Sequence, residues 1–311
     1  MTGQRPVLLT SLSAAMDGGF TAISDVSQAL GEVGASDHYR LIGGVSVMLH
    51  IQRLGIDLPL RATGDADFGV PLHVLKEPTL VAAIEAASYT KVMGNRWERQ
   101  VDERRVAAVD LLVPAYRSRA RHTVKVGDIV TTEVPGLAEA LRRPAVTVDA
   151  QFQLTDGSSL GASVALPDAV ATLALKAGAR TVRNETRDAE DLWRCLEIAA
   201  ADGVTPDMFA EHEPLQRVAH LVIRELGPGG SALPALTAGL QQDPAARLRT
   251  RLRALLAEVV GNLRLTVSPA GATAAPWPGL GFPWCRSGDT RRKHTVCGAV
   301  HAARRVSLLS R

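Results

Sequence analysis

The periodicity of the chain changes at Pro167, and that change limits the folds open to it. Upstream, short valine-rich segments alternate with helical patterns. Downstream, residues 168–179, 187–201, 206–213, 215–226 and 244–263 repeat their apolar positions every three to four residues, the spacing of a helix face. The chain thus reads as an α/β half followed by a helical half, an α+β protein. Within the first part, residues 21–35 read as a helix ending at glycine, 39–42 as a short buried strand, and 45–54 as a helix packed on a sheet. Residues 65–70, 104–114, 145–154 and 160–166 read as strands, and 72–88 as a helix.

Three features break this apolar regularity. Gly43-Gly44 separates the 39–42 strand from the following helix. Glycine lets an anion approach the main chain, and a helix N-terminus adds partial positive charge, so this turn suits a phosphate; Ser46 in the first turn could donate its hydroxyl. Gly-Gly before a helix is often only a turn. Asp65 and Asp67 then stand two apart in a strand pattern, which puts them on one side. Two adjacent carboxylates resist joint ionisation unless a cation lies between them. Hard oxygen ligands of that kind suit Mg²⁺ shared with substrate phosphates, while a solvated pair at a strand end is the plainer reading. Asp110, inside VAAVDLLV, is costly to bury unless paired or bound to metal; otherwise it faces solvent. Three carboxylates on neighbouring strands are the layout of metal-assisted phosphoryl or nucleotidyl transfer, with Asp110 activating the attacking hydroxyl.

With LIGG before a helix, RATGDADF, a later aspartate, Lys176 and then RDAEDL, the sequence resembles the nucleotidyltransferase superfamily of DNA polymerase beta-like fold. Within it, the chain resembles the AbiEii-type nucleotidyltransferase toxins of type IV toxin–antitoxin systems, over residues 39 to 196. The resemblance implies a mixed-sheet nucleotidyltransferase domain at 1–166 and a mostly helical domain at 167–268 completing the cleft. It assigns Gly43, Gly44 and Ser46 to the phosphate turn, and Asp65, Asp67 and Asp110 to one or two Mg²⁺ ions. Lys176 becomes the triphosphate cation, and Arg183 and Asp188 become nucleotide contacts. Asp191 either orients Lys176 or Arg183 or meets the nucleotide. The family's lysine before the first aspartate of that last motif is Arg187 here, which keeps the charge but presents a planar fork. The implied activity is transfer of NMP from an NTP to the 3′ end of tRNA, blocking translation, with a cognate antitoxin as partner. The same triad would serve a protein hydroxyl or a small-molecule acceptor, and a silent nucleotide-binding module is the alternative of a different class.

The rest of the sequence sets bounds. Residues 269–311 are rich in Pro, Gly and Ala and then basic, the composition of a flexible tail. A net charge of +3 permits a nucleic-acid partner without demanding one. Arg117, Arg119, Arg121 and Lys125, directly after the Asp110 strand, are the candidate RNA contacts. No uncharged apolar run reaches the roughly eighteen residues of a membrane span, and the N-terminal apolar run is short for a secretory leader. Three scattered cysteines point to a reducing cytoplasm and away from a zinc site. Cys195 and Trp193 read as core, His38 and His50 as ordinary polar positions.

Overall fold

In a computed structural model, residues 6–59, 62–116, 123–183 and 185–261 are described. The order is β1 (Val7–Thr10), α1 (Ala14–Glu32), a 3-10 turn (Ser36–His38), β2 (Arg40–Ile42), α2 (Gly43–Arg53), β3 (Ala66–Gly69), α3 (Leu72–Lys76), α4 (Pro78–Ala86), β4 (Thr90–Met93), β5 (Arg96–Gln100) and β6 (Val106–Pro114). Then come β7 (Val124–Val126), β8 (Ile129–Val134), α5 (Leu137–Arg142), β9 (Val146–Gln153) and β10 (Ser159–Leu166). Helices follow: α6 (Ala169–Val182), α7 (Thr186–Ala201), α8 (Pro206–Ala210), α9 (Glu213–Leu226), α10 (Leu233–Thr237) and α11 (Gln242–Val259). The expected α+β class holds, with strands before Pro167 and helices after it. The proposed tail at 269–311 lies outside the described residues, as do Cys285 and Cys297.

The larger sheet runs β2-β3-β6-β5-β4, with the β7–β8 hairpin joined to the far end of β6. It is mixed: β3 is parallel to β6, while β2 and β5 run antiparallel to their neighbours. β6 is long enough to pair with β5 over its first half and with β8 over its last three residues. A smaller sheet, β1-β9-β10, carries the remaining strands. Alternation along β6 sends Ala107, Val109, Leu111 and Val113 into a core with Phe68, Trp97 and the α1 residues Phe20, Ile23 and Val26. Phe20 stacks on Phe152 at 4.5 Å between ring centroids, which ties α1 to the smaller sheet. A second core lies among α6, α7, α9 and α11. Helix α2 serves both, burying Val45, Met48 and Leu49 in the first and Val47 and Ile51 in the second.

Three sequence expectations change. α1 starts at Ala14, capped by the Ser13 hydroxyl, and not at 21. Its Gly18-Gly19 pair, which argues against a helix by propensity, is kept because the helix needs a bare surface there. A Cβ on Gly18 would stand 2.1 Å from the Val106 carbonyl oxygen, and one on Gly19 2.7 Å from that of Gly64. The 72–88 helix is broken at Glu77, because Pro78 cannot continue a helix and instead begins a new one. Strands β1, β4, β5, β7 and β8 carry no strand pattern in the sequence. Most are short or hold mainly polar residues.

Candidate active site

The site begins where β2 ends. All three β2 residues are buried, and the chain turns into α2 through Gly43 at φ +78°. A Cβ at that position would lie 2.1 Å from Oδ2 of Asp67. Gly43 is therefore required twice, for its left-handed backbone and for the carboxylate seated on it. The N-terminal partial charge of α2 favours that carboxylate. In the first turn Ser46 is buried, and its Oγ has no hydrogen-bond partner among the described residues. A buried hydroxyl left unpaired costs on the order of 1–3 kcal/mol. Gly43→Ala is expected to destabilise the fold by at least about 2 kcal/mol and to abolish ligand binding, through strain and clash together. A thermal melt unchanged within a degree would sink this reading of the turn.

Across the sheet, strand register sets a row of polar residues. Asp67 on β3 pairs directly with Asp110 on β6, and Asp110 pairs on its other side with Arg96 on β5. Registered partners on adjacent strands face the same side. That side is opposite the main core and holds a small apolar cluster of Ile42, Leu137, Ala140, Ala171 and Leu175. Asp65 is exposed, in the loop just before β3. The Asp67 carboxyl is pushed up to about 7, by burial first, then by Asp110 and Asp65, with Lys176 and Arg183 pulling it down. Asp110 is also raised, chiefly by burial, against the pull of Arg96.

Asp110 is not left open. Arg96 Nη1 donates to its Oδ2 at 3.0 Å, and the Asn95 amide donates to its Oδ1 at 3.4 Å. Arg96 Nε in turn donates to Glu98 at 2.7 Å. The three aspartates thus share one end of the sheet, but among the described residues no three acidic, histidine or cysteine side chains close on a single point as metal ligands. Arg96, Asn95 and Glu98 escape sequence reasoning. Their signal is slight: RWERQ alternates around a buried Trp97, but four of its five residues are polar.

A second polar group stands on the helices. Lys176 on α6 and Asp191 on α7 are both buried and meet at 2.8 Å. Arg194, not singled out in the sequence, reaches the other Asp191 oxygen at 3.6 Å. Asp188 is buried and holds the half-exposed Arg183 at 2.9 Å. Arg187 points away, to Glu185 at 2.5 Å. The effect of Lys176 and Arg183 on Asp67 places both cations within electrostatic reach of the sheet carboxylates. Cys195 is buried as expected, and Trp193 packs half-buried on the helical core with its Nε1 donating to Glu197 at 3.2 Å.

His50 is more than an ordinary polar position. It is fully buried, and its Nε2 donates to the Pro167 carbonyl at 2.8 Å, which fixes the proton on that nitrogen. Burial and Arg53 push its pKa down to about 4, so it stays neutral. The bond ties α2 to the start of α6, and so the Gly43 turn to the helix bearing Lys176. Of the proposed RNA contacts, Arg117, Arg119 and Arg121 lie outside the described residues, and Lys125 is exposed on β7.

No protein-family model matches the sequence, and no curated protein does. Among solved structures, the chain is similar to an antigenic nucleotidyltransferase-like protein from Paracoccidioides brasiliensis, at 15% identity and a TM-score of 0.44 over 80% of this chain and 95% of that one. It is also similar to the antibiotic-resistance factor ANT(2'')-Ia, at 12% identity and a TM-score of 0.31 over 77% of this chain and 93% of that one. At such identities the chemistry of the site rests on its own side chains.

Proposed function

We propose that the protein is a Mg²⁺-dependent nucleotidyltransferase. The observation that carries this is the Asp67 carboxylate. It is seated on the Gly43 turn, near a buried Ser46 hydroxyl with no partner among the described residues, and burial first, then repulsion from Asp110 and Asp65, pushes its pKa up to about 7. A carboxylate at the N-terminus of a helix, with two more within electrostatic reach, suits a divalent cation and the phosphates it brings. Asp65 and Asp67 are the residues to hold the ion, with Asp110 added once its carboxylate turns from Arg96. When bound, Mg²⁺ neutralises charge on the phosphates and on the leaving pyrophosphate. The N–H groups at the start of α2 and the Ser46 hydroxyl bind phosphate oxygens. Asp110 accepts the proton of the acceptor hydroxyl as that oxygen attacks the α-phosphorus; the bond to the β-phosphate oxygen breaks, and pyrophosphate leaves. Lys176, oriented by Asp191, and Arg183 supply positive charge on the far side of the cleft.

The acceptor we favour is the 3′ end of tRNA, with blocked translation as the outcome and an antitoxin protein as the neutralising partner. The support is the sequence resemblance. The test is incubation with Mg²⁺ and each α-labelled NTP in parallel with total RNA, a protein mixture, and small hydroxylated compounds. Label in a tRNA-sized band is expected. Label in protein or in a small molecule would move the acceptor while keeping the reaction. No transfer to any acceptor, together with no Mg²⁺-dependent stabilisation by NTP, would leave a silent module.

A further inference from the structure

The row Asp67–Asp110–Arg96 holds one residue that the transfer reaction does not require. Both Asp110 oxygens already accept hydrogen bonds, from Arg96 and Asn95. Arg96 is shared: its Nη1 is on Asp110 and its Nε on Glu98, two residues along the same strand and on the same face. A guanidinium spread between two carboxylates can give up one and keep the other. Strand spacing puts it one position, roughly 5 Å, beyond Asp110 on the side away from Asp67. From there it draws the Asp110 carboxylate away from the neighbour with which it would share a cation.

We infer that Arg96 is a latch on Asp110: it holds the third carboxylate out of the cation site in the resting protein and passes to Glu98 when Asp110 is recruited. Arg96 is a positioning residue, since it touches no reacting atom. In the resting state the protein offers a divalent cation Asp65 and Asp67 alone, a weak site. The third ligand joins only when the cation arriving with the nucleotide outcompetes the guanidinium. Glu98 makes the exchange possible, because without it the released Arg96 would have no acid to receive it. The device keeps the base that activates the acceptor hydroxyl out of action until nucleotide is in place, which limits idle turnover with water. The inference rests on the proposed metal-dependent reading of the site.

The experiment is titration of the nucleotide-free protein with Mn²⁺ alone, read by the electron paramagnetic resonance of the free ion. Arg96→Gln is expected to bind Mn²⁺ at least about tenfold tighter than the parent, because Asp110 is released to the site. Arg96→Lys, which keeps a cation beside Asp110, should stay within about threefold of the parent. Glu98→Gln, which removes the receiving acid, should bind roughly threefold more weakly. In the Asp110→Asn background the Arg96→Gln gain should vanish, which separates a latch on Asp110 from a general loss of positive charge. Equal Mn²⁺ affinity in the parent and Arg96→Gln overturns the latch, and so does a gain that survives in Asp110→Asn. Mn²⁺ binding that is lost in Asp67→Asn but indifferent to Arg96 removes the latch and leaves the metal site. Absence of Mn²⁺ binding in the parent, or binding indifferent to Asp67, removes both. Circular dichroism melts of each variant guard against misfolding. Should Arg96→Gln fail to fold, the Glu98→Gln arm still decides, since unchanged affinity there overturns the exchange.

Discussion

Asp67→Asn is expected to abolish nucleotide transfer and, in the absence of metal, to make the protein more stable at alkaline pH. The two effects share a cause. In the unfolded chain Asp67 ionises near 3.8, whereas in the fold it holds its proton to about 7. Between those values the native state binds a proton that the unfolded state has lost, so stability falls as pH rises through that window. Below about pH 4 both states are protonated and the contribution is fully present. Above about 7 the folded protein carries a buried ionised carboxylate that Asp110 and Asp65 repel. Asparagine keeps the shape on Gly43 and removes the charge. Urea denaturation at pH 8 should therefore show the variant more stable by a few kcal/mol, at about 1.4 kcal/mol for each pH unit between the two pKa values, with little difference at pH 4. Mg²⁺ should recover that stability in the parent and do nothing for the variant. A variant that still transfers nucleotide, or that is no more stable than the parent at pH 8, would show that Asp67 is an ordinary strand carboxylate.

Lys176→Ala is expected to cut transfer at least about a hundredfold, worth about 2.7 kcal/mol of barrier. The structure adds a folding cost of similar size. Lys176 and Asp191 are buried together at 2.8 Å, with Arg194 farther off at 3.6 Å. Removing the ammonium leaves a buried carboxylate short of its main partner, a loss of roughly 3 kcal/mol. The two contributions separate in the double variant Lys176→Met, Asp191→Leu, which restores an apolar pair of similar volume. Stability should return and transfer should not. Recovery of turnover along with the melting temperature would make the pair purely structural.

The parts of the site that stood out in the sequence are those whose chemistry contradicts their surroundings. Gly43-Gly44, Asp65, Asp67 and Asp110 interrupt apolar patterns, and such interruptions are visible over a few residues. The helical half was legible because its buried faces repeat at helical spacing over long stretches, as in α7 and α9. β5 was not, because a strand whose outer face lines a polar site has the composition of a surface loop. Arg96 acquires meaning only from its register beside Asp110, a fact of pairing between distant segments. The Lys176–Asp191 contact joins two helices, and neither residue announces the other; both were reached through family resemblance. The role of His50 is hidden for a similar reason, since its partner is a backbone carbonyl 117 positions away.

The glycines of α1 and of the loop before β3 bear on how the carboxylates are held in place. Gly19 lies against the main chain of Gly64, and a Cβ on Gly64 would come within 2.6 Å of the Ala15 carbonyl oxygen. Asp65 follows Gly64 directly, and Val106, against which Gly18 rests, opens the strand that carries Asp110. The depth of both acidic segments is thus gauged from a helix backbone, main chain touching main chain, with no rotamer in between. Side-chain contacts can relax by turning a bond, but this one has nothing to turn. A single methyl group there would move the loop as a rigid piece and carry Asp65 with it. Tolerance at these two segments is therefore set by three residues that have no side chain, two of them more than forty positions from the aspartates they align.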